Sequence, residues 1–113
     1  MAQPEILYTE TCYNTIDDRI NYFSQWNDEN AVIERIEELI SRFENNVSDN
    51  PEIYSRCREL SEFGITDIRQ FSADGFRVLY EYNETLNKIT VLLLLSDKQD
   101  LQKTLVDYCL IYK

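Results

Sequence analysis

The sequence predicts an α+β fold of element order β-α-α-β-β-β-α. A helical hairpin packs on a small, mostly antiparallel four-stranded sheet, and a C-terminal helix follows. Three observations carry this. Between Thr11 and Phe43 the apolar residues recur at helical spacing in two runs, interrupted by the polar turn "WNDEN". From Thr66 to Ser96 the spacing changes to that of strands separated by turn residues. The tail "DLQKTLVDYCLIYK" then returns to helical spacing through Leu101, Leu105, Tyr108 or Cys109, and Tyr112.

Each element has its own local reason. "EILYTE" sets Ile6 and Tyr8 against Leu7 and reads as a short first strand. Tyr13, Ile16, Ile20 and Phe23 form the apolar stripe of the first helix, and Trp26 closes the helical hairpin. Asp28 is placed to cap the second helix, with Glu29 in its first turn where negative charge suits the helix dipole. Val32, Ile33, Ile36, Leu39, Ile40 and Phe43 make one stripe of that helix, while Glu34, Glu37, Glu38 and Glu44 take the other side. Asn50–Pro51 stops it, because the residue before a proline is pushed out of helical geometry. "PEIYSRCRELSEF" holds one short helical piece that ends at Gly64. "TDIRQF" and "FRVLYEY" flank "SADG", and "KITVLLLLS" is apolar on both faces, as an interior strand covered from both sides must be.

Composition bounds the function. The chain has 113 residues, 21 acidic against 11 basic side chains, a net charge of −10 and no histidine. One domain is expected at this length. The missing imidazole excludes histidine-dependent triads, proton relays and zinc ligation. The acidic field repels phosphate backbones, so direct nucleic-acid binding is not expected, and it attracts basic partners. Cys12, Cys57 and Cys109 are widely spaced and form no metal motif, so neither metal nor cofactor is expected and reduced thiols are. "MAQPEILYTE" has no basic n-region or long apolar run, and "ITVLLLLS" is too short to span a bilayer. A cytoplasmic protein without membrane contact is the expectation.

The stretch "RQFSADGFRVLYEY" poses the main question of function, because it carries Arg69 and Arg77 on two neighbouring strands. A three-residue loop "ADG" pairs Phe71 with Arg77 and Arg69 with Leu79, and makes the two arginines diagonal neighbours on one face. Ile68, Phe76, Val78, Tyr80 and Tyr82 then form the floor for the helices. In that register Asp67 faces Glu81, a like-charge pair that counts against it. Arg69, Phe71, Arg77 and Leu79 together would make a patch of cations and apolar side chains suited to an anion or to a partner protein. The plainer alternative has each arginine pairing with a nearby carboxylate such as Glu81 or Asp67.

"ITDIRQF", "GFRVLYEY" and "ITVLLLL", with "NPEIYSRCREL" before them, resemble the RelE/ParE superfamily of bacterial type II toxins. The resemblance spreads over nearly the whole chain and implies a single RelE/ParE-like domain over residues 1–113. Arg77 falls on the arginine of the family's "yRvlY" strand, and Arg69 on the basic position of the strand before it. In the ribonuclease branch, such cations hold the phosphate of ribosome-bound mRNA and an acid/base side chain lies near the C-terminus. Here that implies Arg77, Arg69 and Lys98 on one phosphate with Tyr108, or Tyr112, as general acid, although helical spacing also suits both tyrosines to packing. The chain departs from that branch where relatives carry basic segments. It has "SDKQDLQ" after the last strand and "ERIEELISRFEN" on the second helix.

The resemblance therefore implies a toxin-family protein of a toxin–antitoxin system that binds proteins, its antitoxin and a cellular target such as gyrase, rather than cleaving RNA. One alternative is an acidic immunity or inhibitor protein that neutralises a basic toxin through Glu34, Glu37 and Glu38. A second is a ribosome-dependent mRNA endonuclease.

Overall fold

A computed structural model describes residues 3–97 and 101–107. Its elements are β1 (Glu5–Tyr8), α1 (Glu10–Phe23), α2 (Glu29–Asp49), α3 (Arg58–Ser61), β2 (Ile68–Ala73), β3 (Phe76–Asn83), β4 (Lys88–Ser96) and α4 (Leu101–Asp107). The strands form one sheet in the order β1-β4-β3-β2. β1 runs parallel to β4, and the other two pairings are antiparallel. This is the α+β architecture that the sequence predicts.

The helical hairpin follows from its caps and its stripes. Asp28 accepts from the Ala31 amide at 3.1 Å and starts α2, as its position suggests. Thr9 plays the same part for α1, its hydroxyl accepting from the Cys12 amide at 3.0 Å. Val32, Ile36, Leu39, Phe43 and Val47 are the buried residues of α2, a spacing of three and four that keeps them on one side. Phe43 sits at the centre, edge-on to both Phe71 and Tyr80. Trp26 does not close the hairpin by burial. Its ring is 66% exposed and touches the edge of Tyr22.

β1 reaches only as far as Val91 along β4, so the next backbone groups of β4 need other partners. The start of α1 supplies them. The Thr9 amide donates to the Val91 carbonyl, the Thr9 hydroxyl to the Leu92 carbonyl, and the buried Thr15 hydroxyl accepts from the Leu94 amide. The pairing of β3 with β4 shifts register at Leu79/Tyr80, so Leu79 faces Leu93 and Tyr80 faces Val91. Leu92 is the extra residue of that bulge.

The sheet is covered on both faces. On the hairpin side, Phe71, Phe76, Val78, Tyr80, Ile89, Val91 and Leu94 pack under α1 and α2. On the other side, Ile68, Leu79, Leu93 and Leu95 form a second core with Cys57, Leu60 and the α4 residues Leu101 and Leu105. Interior placement of β4 between two apolar layers explains why its sequence lacks polar alternation.

One sequence expectation fails here. The β2–β3 turn holds two residues, not three, and Ala73 pairs with Phe76 across it. Asp74 and Gly75 both have positive φ, 54° and 81°, which is the geometry of a type I′ turn. That turn matches the right-handed twist of the flanking strands, so Asp-Gly selects it over a three-residue loop. Arg35 on α2 fixes it from outside, bonding the Asp74 carboxylate at 3.2 Å and its carbonyl at 3.1 Å.

Candidate functional site

The shorter turn changes what the hairpin presents. Arg77 pairs with Ser72, and Arg69 pairs with Tyr80. Because side chains alternate along a strand, Arg69 and Arg77 lie on opposite faces of the sheet, and the shared patch expected from sequence does not form. Its members split two and two. Arg69 and Phe71 fall on the hairpin face, and Arg77 and Leu79 fall on the other. The same register replaces the expected Asp67–Glu81 opposition by Ile68 against Glu81.

Arg69 is occupied by the backbone. Its Nη1 donates to the carbonyls of Tyr54 at 2.7 Å and Glu52 at 3.1 Å. The segment after α2 is thereby drawn against β2, where the Cys57 amide donates to Ile68 and the Gln70 amide to Ser55. Tyr80 completes this anchorage by donating its hydroxyl to the Pro51 carbonyl at 2.8 Å. Burial raises the Tyr80 hydroxyl above its ordinary range, so it stays protonated. Phe71 is buried between Phe43 and Tyr54 and serves the core.

Arg77 stands at the other face with its side chain only 12% exposed. Its Nη1 donates to Glu59 Oε2 at 2.9 Å and lies 3.4 Å from Gln70 Oε1. Among the described residues its buried Nε has no hydrogen-bond partner. Glu59 comes from α3, and its other oxygen lies 3.8 Å from the Cys57 sulfur. Partial burial pushes the Glu59 carboxyl up, but the Arg77 guanidinium and nearby donors outweigh it and hold the group below its usual range. Burial raises the Cys57 thiol, so it carries no thiolate character suited to nucleophilic chemistry.

Beside this ion pair runs an apolar groove of about 280 Å3, lined chiefly by Leu60, Ile65, Ile68, Leu79, Leu93 and Leu105. Arg77 lies two residues along β3 from Leu79, and Glu59 directly precedes Leu60, so the pair is next in chain to two residues of the groove lining. Glu34, Glu37 and Glu38 are exposed along α2, away from this site. Lys98, Tyr108, Tyr112 and Cys109 lie outside the described residues. Among the described residues no cluster of His, Cys, Asp or Glu is arranged to hold a metal, and no helix is long and apolar enough to cross a membrane.

Sequence reasoning missed Glu59, Gln70 and Cys57 as the surroundings of Arg77. The Asp-Gly pair was the available signal, since a two-residue turn places Gln70 and Arg77 on the same face. Nothing in the spacing of "RCREL" points Glu59 at β3.

A helical hairpin packed on a four-stranded mixed sheet gives the chain its α+β architecture. The family profile of the ParE toxin of type II toxin–antitoxin system, parDE, matches residues 6–101, and the chain belongs to that family. A search of curated proteins finds no match. Among solved structures, the toxin–antitoxin complex RelBE2 from Mycobacterium tuberculosis contains a chain with the same fold. It has TM-score 0.59 and 12% identity, covering 84% of this chain and 99% of that one. The isolated E. coli RelE toxin is also similar, with TM-score 0.52 and 12% identity, covering 97% of this chain and all of that one. The expected kinship with the RelE/ParE superfamily therefore holds although the shared arginine face does not.

Proposed function

We propose that residues 1–113 work as one toxin-family unit in the cytoplasm of a bacterium, binding a cognate antitoxin and a cellular protein target, such as gyrase, rather than cleaving RNA. The observation that carries this reading is the commitment of both strand arginines. Arg69 holds two loop carbonyls, and Arg77 on the opposite face is paired with Glu59. A phosphate would have to displace an internal carboxylate at Arg77 and would find no help from Arg69. The net charge of −10 opposes it further. Protein recognition needs no such cluster, and an apolar groove beside a buried arginine suits it.

The exposed Glu34, Glu37 and Glu38 favour a second reading, an acidic inhibitor that covers a basic toxin through α2. Inducing the chain alone, and then together with the product of the adjacent gene, separates the readings. Growth arrest relieved by that product, with the two proteins co-purifying, is the expected result. A harmless chain that instead rescues cells from a toxic neighbour replaces the proposal with the inhibitor reading.

A further inference from the structure

We infer that Glu59 is an internal stand-in for a partner's carboxylate. In the complex, an aspartate or glutamate of the partner takes Arg77, and its flanking leucine or isoleucine side chains fill the groove beside it.

Three features support this occupant. Arg77 is nearly buried, yet Glu59 reaches only one of its terminal nitrogens, leaving the Nε–H enclosed without an acceptor among the described residues. A buried donor without a partner is costly, and a second carboxylate oxygen in the plane of the guanidinium would satisfy it, giving the two-pronged geometry that arginine favours. Glu59 is the exchangeable member of the pair. Its side chain is 45% exposed and rides on the four-residue α3, so it can turn outward without disturbing the sheet. Finally, the groove lined by Leu60, Ile68, Leu79 and Leu93 begins one residue beyond Glu59 on α3 and two beyond Arg77 on β3. A ligand that held Arg77 and extended into this neighbouring groove would meet hydrocarbon, which suits a peptide better than a hydrated phosphodiester chain. A single carboxylate also meets a smaller charge penalty on this molecule than a polyanion does.

The assignment rests on the protein-binding reading, but its test is independent of growth or antitoxin identity. The full chain is titrated with a capped Leu-Asp-Leu-Leu peptide, its Leu-Asn-Leu-Leu counterpart, and inorganic phosphate. Binding is followed through the Arg77 Nε–Hε signal by NMR. Glu59→Gln, which removes the competing charge but keeps an acceptor near Arg77, is expected to bind the aspartyl peptide about tenfold more tightly than the native chain. The asparaginyl peptide and phosphate should gain nothing, and Arg77→Lys should abolish the gain. If Glu59→Gln does not give a folded spectrum, Glu59→Asp, which withdraws the carboxylate by one methylene, is read in its place with the same expectation. Equal affinity in native and variant chains overturns the inference. A gain for phosphate matching that for the aspartyl peptide overturns the choice of a protein carboxylate and points to a nucleic-acid backbone instead.

Discussion

Arg69 and Arg77 flank one tight hairpin and face opposite ways, the first tying down the loop carbonyls of Glu52 and Tyr54, the second held by Glu59. The same residue type thus serves as a backbone anchor on one side of the sheet and as half of an ion pair on the other.

Removing Glu59 should cost more than its exposure suggests, because it leaves the Arg77 charge buried and unpaired. Glu59→Ala is expected to destabilise by about 1–3 kcal/mol, less than a fully enclosed pair because Glu59 is half-exposed. Arg77→Met, which removes the charge and keeps apolar volume, should cost less than Glu59→Ala. Urea denaturation of both variants checks the order.

Arg69→Ala should loosen the segment between α2 and α3 rather than the sheet. Two hydrogen bonds from a charged donor disappear, at a cost of about 1.5–3 kcal/mol. Amide exchange should accelerate at Cys57 and Gln70, whose bonds to Ile68 and Ser55 hold that segment. Exchange in β4 should follow only the change in global stability.

At the hairpin turn, Gly75 has φ 81° and open space around it, the nearest atom to an added Cβ being Arg35 Nη2 at 3.9 Å. Gly75→Ala therefore tests backbone strain without a clash. About 1 kcal/mol of destabilisation is expected, seen as a lower denaturant midpoint at unchanged slope.

Alkaline pH should unfold the protein. Burial lifts the Cys12 thiol from 9.0 to about 12, and burial together with the Glu44 carboxylate beside it raises the Tyr8 hydroxyl. A folded pKa above the unfolded value means that the folded state binds the proton more tightly. The associated stability is complete below pH 9 and is lost as pH rises from 9 towards 12. Cys12→Ala removes the thiol's share, so its stability should fall less steeply over that window in a pH series of thermal melts.

Much of the architecture was legible because local signals agreed with one another. Asp28, the apolar stripe from Val32 to Phe43 and the stop at Asn50–Pro51 fixed α2, and the unbroken apolar run of β4 foretold a strand covered on both sides. The hairpin register is not fixed by the sequence because "ADG" fits two loop lengths, and only Asp74 and Gly75 both lying at positive φ selects the shorter one. A one-residue difference in the loop was enough to send Arg69 to the other face. Glu59 was beyond reach of sequence reasoning, since its approach to Arg77 depends on how α3 docks against the far side of β3, a contact with no periodicity to announce it.

The commitment of both arginines is tested most directly by mapping mRNA 5′ ends in cells after induction of the chain. The account predicts that growth stops with no new ends inside translated codons, in the native chain and in Arg77→Ala alike. New ends within ribosome-bound codons that vanish in a folded Arg77→Ala variant would contradict it.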